Sequence, residues 1–160
     1  MTKNSIGYAL LSALIAGSLD ICLAFLTAFI KSGAGADRVL RYVASGLLGK
    51  SAFTGSDWIV LLGLLIHYMI AMVFGFIFFL FYPKLQRWIK NKILIGICYG
   101  IFVWIVMNLL ILPLSRVPKL VYTIENLFIG ISVLIIALGW PLTYLAAKFY
   151  SKNKVAQHDQ

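Results

Sequence analysis

Four uninterrupted apolar runs dominate the chain: Ile6 to Ile30, Trp58 to Tyr82, Ile93 to Pro113 and about Asn126 to Ala147. Each is near or above the ~20 residues that carry an α-helix across the hydrocarbon of a bilayer. Backbone facing lipid finds no water to bond to, so such runs must satisfy their own N–H and C=O groups, which a helix does locally. The predicted fold class is therefore an all-α integral membrane protein built as a four-transmembrane-helix bundle. Composition agrees, with 62% hydrophobic and 12% charged residues and a mean hydropathy of +0.96, against roughly half apolar and a quarter charged in soluble domains. The first run follows Lys3 as the core of a secretion signal would. It is too long for that and has no small-residue cleavage site before its end, so it is expected to stay in place. One transmembrane domain spans 1–150, and 151–160 reads as a polar C-terminal tail, expected to fray.

The net charge of +9 does not point to nucleic acid, because the basic residues sit at the ends of the apolar runs and in short connections, where they meet lipid headgroups. Their distribution also sets an orientation. Lys3, Lys84, Arg87, Lys90, Lys92, Lys148, Lys152 and Lys154 share one side, eight in all, and Lys31, Arg38, Arg41, Lys50, Arg116 and Lys119 make six on the other. Positive charge is retained inside, so both termini are expected in the cytoplasm.

The longest connection, Lys31 to Asp57, opens and closes with glycine-rich turns. Its centre, DRVLRYVASGLLG, places Val39, Val43, Gly46 and Leu47 at helical spacing, with Arg38, Arg41 and Ser45 elsewhere. It is too short to span and is expected as an interfacial or re-entrant amphipathic helix, either filling space or closing over an outer cavity. YPKLQRWIKNK and LSRVPKLVY read as hairpin loops that make consecutive helices antiparallel neighbours. Trp58, Trp88 and Tyr122 read as interfacial anchors.

Small residues repeat every three or four positions, a spacing that lets helix backbones approach. The rows are Ala9, Ala13, Gly17, Asp20, Ala24 and Ala28 in the first span, and Gly63, His67, Ala71 and Gly75 in the second. The third carries Gly96, Gly100, Trp104 and Asn108, and the fourth carries Asn126, Gly130, Val133 and Ala137 before Pro141. At ~1.5 Å per residue, His67 falls near the midplane, Asp20 slightly outward, Asn108 in the outer third, and Glu125 and Asn126 near the outer boundary. These five form the candidate polar cluster. A lone intramembrane carboxylate costs from about 3 to more than 10 kcal/mol, so Asp20 and His67 are expected to pair. Glu125 is expected to meet headgroups, Arg116 or Lys119.

GSLDICLAF, VLRYVASGLLGKSAFTG, GLLIHYMIA, YGIFVWIVMNLLILPLS and LGWPLTYLA resemble, in order and spacing, a group of small four-helix bacterial inner-membrane proteins of unknown function. The resemblance covers nearly the whole chain. It implies a bacterial cytoplasmic membrane address and no established activity, and associates Asp20, Gly46, Gly49, His67, Met107 and Asn108 with the shared elements. Members of the group often carry a second histidine in the last span, where ENLFIGISVLIIALGWP has none.

The inventory for chemistry is thin. Metal centres generally need three or four ligands, and one intramembrane histidine with two cysteines does not supply them; haem held by two histidines would require a dimer. Cys22 and Cys98 lie at different depths and are expected as core thiols without a disulfide. No phosphate-binding glycine loop or nucleophile elbow is present, so no catalytic residue, metal or cofactor is assigned. The primary reading is a non-enzymatic membrane module, self-associating or accessory, whose partners are the lipid bilayer and a homodimer or larger membrane complex, with no nucleic acid. The alternative is a small proton-coupled permease using Asp20 and His67.

Overall fold

The computed structural model describes residues 3–118 and 123–158. Lys119 and Tyr122, expected as a partner of Glu125 and as an anchor, lie outside the described residues. Five helices follow in order: α1 (Lys3–Ser32), α2 (Ala36–Leu48), α3 (Trp58–Trp88), α4 (Lys92–Leu114) and α5 (Ile124–Ser151), the last continuing as helix to His158. Four of them, all but α2, are long and apolar enough to cross a membrane, so the chain is a four-span helical membrane protein. The tail does not fray at Ser151, because the residues to His158 include no glycine or proline to break the helix.

The termini of these helices have local causes. Gly33, with φ +66°, ends α1 in the left-handed region that glycine adopts without strain, and its N–H returns to Phe29 O at 2.8 Å. Gly49, with φ +64°, does the same for α2, its N–H bonding Ser45 O, and a single 3-10 turn, Gly49–Phe53, follows. Thr123 caps α5, its hydroxyl accepting from Asn126 N at 3.2 Å, and the Asn91 side chain caps α4 by accepting from Ile93 N at 2.9 Å.

The hairpin loop expected from Tyr82 to Lys92 is far shorter, since α3 runs through Pro83 to Trp88. Pro83 has no N–H, which strands the carbonyl of Phe79 four residues earlier. The Tyr150 hydroxyl on α5 donates to that carbonyl at 2.9 Å, so the interruption is satisfied across the bundle and the helix need not end there. Prolines leave a different mark in α4 and α5. Val106–Ile111 and Ile135–Gly139 are π-helical, each just ahead of a proline, Pro113 and Pro141, and these wide turns absorb the missing hydrogen bond.

Neighbouring spans run antiparallel. Gly75 meets Ala13, and Gly17 meets Ala71; on the other side Gly96 meets Gly139, and Gly100 meets Ile135. The tight seams are thus α1 with α3 and α4 with α5. The hairpin partners α3 and α4 are held apart by an apolar groove of about 440 Å³ lined by Ile77, Phe81, Leu85, Ile95, Cys98 and Phe102 among others. At the end where the chain termini lie, the interior is filled by aromatic side chains. Phe78, Phe79 and Tyr82 are fully buried, Phe78 lies 4.5 Å from Tyr99 between ring centroids, and the Tyr99 hydroxyl donates to Phe74 O at 2.5 Å.

The opposite end carries α2. Its buried side is Leu40, Ala44 and Ser45, rotated from the expected row, and Leu47 is exposed. The rotation follows from Gly63, whose missing side chain lets the Leu40 carbonyl of α2 lie directly on α3. Arg41 then turns back to bond the carbonyls of Ala52 and Gly55 at 3.1 and 2.8 Å and the Asp57 carboxylate at 3.1 Å. Arg116 N donates to Gly46 O at 3.0 Å, tying α2 to the end of α4.

Candidate functional site

Below α2 the packing opens. A cavity of about 530 Å³ receives side chains from all five helices: Asp20 and Ala24 of α1, Tyr42 and Val43 of α2, and His67 and Phe74 of α3 line part of it. Trp104, Met107 and Asn108 of α4 and Asn126, Gly130 and Val133 of α5 complete much of the wall. Phe74, Val103 and Leu138 belong both to this wall and to the aromatic core, so they form a floor dividing the hollow half of the bundle from the filled half. Both π segments reach this level, contributing Met107 and Asn108 from one and Leu138 from the other.

The expected hydrogen-bonded pair of Asp20 and His67 is not formed. His67 Nε2 bonds the carbonyl oxygen of Gly17 at 2.9 Å. A carbonyl can only accept, so Nε2 carries a proton and donates it. Gly17 makes the bond reachable: a Cβ there would lie 2.8 Å from the Ala71 Cβ, a distance side chains do not tolerate, so its bare backbone is what brings α1 within reach of the imidazole. Ser18 and Tyr68 add a 2.8 Å hydrogen bond between the same two helices. Asp20 follows Gly17 by three positions and lines the same cavity as His67. Among the described residues it makes no hydrogen bond or ion pair.

Asn108 donates from Nδ2 to Trp104 O at 2.9 Å. Asn126 accepts a short hydrogen bond from Lys31 Nζ, and the same ammonium lies 3.0 Å from Glu125. Glu125 is thus exposed and ion-paired at the end of the bundle, apart from the cavity, and its partner is Lys31 instead of Arg116. Lys31 was legible in principle: in an even-numbered up-and-down bundle the end of the first span meets the start of the fourth. Four of the five polar candidates, Asp20, His67, Asn108 and Asn126, therefore share one cavity, and Glu125 does not.

The small-residue positions divide by partner. Gly63 faces α2, Ala71 and Gly75 face α1, Gly17 faces α3, and Gly96 and Gly100 face α5. Gly130 faces the Trp104 indole, with Nε1 2.9 Å from where a Cβ would stand. Tyr42 and Trp104 are cavity residues that residue type alone does not single out, because aromatic side chains are equally at home in a dry core. Cys22 and Cys98 are free but exposed on the outside of the bundle, not core thiols: each occupies the helix arc opposite its small-residue row. Among the described residues no three His, Cys, Asp or Glu side chains gather at metal-binding distance. No protein-family model, curated protein or solved structure matches the chain.

Proposed function

We propose that the chain is a non-enzymatic module of a bacterial cytoplasmic membrane, with both termini in the cytoplasm, that takes a small solute into the cavity beneath α2. One observation carries this reading: a hollow of about 530 Å³ holds an aspartate that makes no hydrogen bond or ion pair among the described residues, while the interior of the other half of the bundle is packed with aromatic side chains. Binding sites for small molecules are typically ~300–1,000 Å³, largely apolar, with a few placed polar groups. The resemblance to small four-helix inner-membrane proteins supports the address and is silent on activity.

The test is access. In a background with Cys22 and Cys98 replaced by serine, Val133→Cys lines the cavity and Ala146→Cys sits in the filled half. A membrane-impermeant thiol reagent added to proteoliposomes is expected to modify Val133→Cys and spare Ala146→Cys. Protection of both positions from reagent on either face would mean a closed interior and would end the solute-binding reading.

A proton-coupled permease is the second reading, favoured by the two π segments at the level of the floor, where wide turns give α4 and α5 places to bend. It requires that Asp20→Asn abolish proton-dependent flux while leaving the protein folded.

A further inference from the structure

The charges around the cavity are one-sided. Among the described residues Asp20 is its only carboxylate, no lysine or arginine lines it, and the only other ionisable wall groups are the His67 imidazole and the Tyr42 phenol. Lys31 at the end of the bundle is engaged by Glu125 and Asn126. Besides the polar groups of His67, Asn108 and Asn126 the wall is aromatic and apolar, with Phe74, Trp104 and Tyr42 contributing from three different helices. Anionic solutes would meet Asp20 with no cation to balance them. A neutral solute would leave the carboxylate without a counter-charge, at the high cost such a group carries within a membrane. An organic cation does the opposite, because it neutralises Asp20 while its body rests against aromatic faces, whose negative π-clouds attract a cationic head.

We infer that the cavity takes a small organic monocation of the quaternary or protonated amine class, its positive head beside Asp20 and its apolar part against Phe74 and Trp104. This rests on the solute-binding reading above and names its ligand class. His67 has a defined part in it. With Nε2 committed to the Gly17 carbonyl, Nδ1 is the ring nitrogen left for a ligand, and in the neutral tautomer it accepts a hydrogen bond from a protonated amine.

The experiment uses the full chain in detergent micelles and three probes: choline, benzyltrimethylammonium, and the uncharged isostere of choline in which carbon replaces the quaternary nitrogen. Isothermal titration is expected to show both cations binding and the isostere binding at least about tenfold more weakly than choline. In Asp20→Asn the preference for charge is expected to vanish, and in Asp20→Glu to persist. Equal binding of choline and its isostere to the unaltered protein would overturn the cation assignment and leave the solute-binding reading standing. That comparison needs no variant, so it holds even if Asp20→Asn fails to fold. A charge preference that survives in a folded Asp20→Asn would also overturn the assignment, since the recognising anion would lie elsewhere. Should none of the probes bind while Val133→Cys is modified, the ligand class is wrong; should Val133→Cys also be protected, the cavity reading itself fails.

Discussion

Gly75→Ala adds one methyl group to the seam between α1 and α3, and its effect can be worked from the seam's geometry. A Cβ at Gly75 would overlap the Ala13 Cβ and lie 3.0 Å from the Ala13 Cα, so it meets another helix's backbone and no flexible side chain can yield. The helices must part or shift, at a cost of about 1–3 kcal/mol for overpacking, set against a gain of about 1 kcal/mol from replacing glycine by alanine within a helix. Parting by about 1 Å would also carry the 2.9 Å His67–Gly17 bond beyond hydrogen-bonding distance. The informative partner is Ala13→Gly, which removes the methyl that Gly75→Ala supplies. The swapped double variant keeps seam volume and overall helix propensity nearly constant, so it is expected to be more stable than the sum of the single effects by about 1–3 kcal/mol. Reversible unfolding in mixed micelles of dodecyl maltoside and SDS measures all four proteins on one scale. Strict additivity of the two changes would show that the contact does not constrain the helices.

Three further outcomes follow from named contacts. His67→Gln retains a side-chain N–H and is expected to stay within about 0.5 kcal/mol of the parent in the same assay, whereas His67→Leu loses the bond to Gly17 and costs about 0.6–1.7 kcal/mol, the range of interhelical hydrogen bonds in membranes; a double-mutant cycle of His67→Gln with Asp20→Asn is expected to show coupling below about 1 kcal/mol, since no hydrogen bond joins the two. Tyr150→Phe strands the Phe79 carbonyl released by Pro83 and is expected to cost about 1–3 kcal/mol; restoring the N–H with Pro83→Ala in the same protein recovers most of it, and failure to recover would detach Tyr150 from the proline. With Cys22 and Cys98 replaced, impermeant thiol reagents on intact cells are expected to label Ser32→Cys and not Ser151→Cys, and the reverse pattern would invert the orientation.

Much of the architecture was legible because its causes are local. Apolar length gives the spans, Gly33 and Gly49 mark helix ends, and the Lys31 to Asp57 connection declares a short helix by its own periodicity. Which helices touch is not local. The rows of small residues identify approachable faces, but nothing in the period of Gly63, His67, Ala71 and Gly75 says that its first member meets α2 and the others α1. Loop length suggested close packing of α3 on α4, and the groove between them shows that a tight connection constrains ends and not flanks. The acceptor for His67 was hidden for a simpler reason: every residue has a carbonyl, so only the glycine at position 17 hinted at which one could be reached. The route of α3 past Pro83 depended on a tyrosine 67 positions later in sequence, beyond any local rule.

The wide turns in α4 and α5 bear on how such a chain tolerates change in length. A π turn accommodates one residue more than α-helical spacing, so each is in effect a single-residue insertion retained within the membrane. Loss of one residue from Val106–Ile111 would leave a regular helix whose residues beyond keep their facing, so the Arg116 N to Gly46 O tie between α4 and α2 is retained, whereas loss of one residue from a regular stretch would swing everything beyond by about 100°. Residues before the turn, including the Gly96 and Gly100 contacts with α5, would keep their places. The turn thus lets the helix carry or lose one residue within the membrane while the contacts on both sides of it are inherited unchanged.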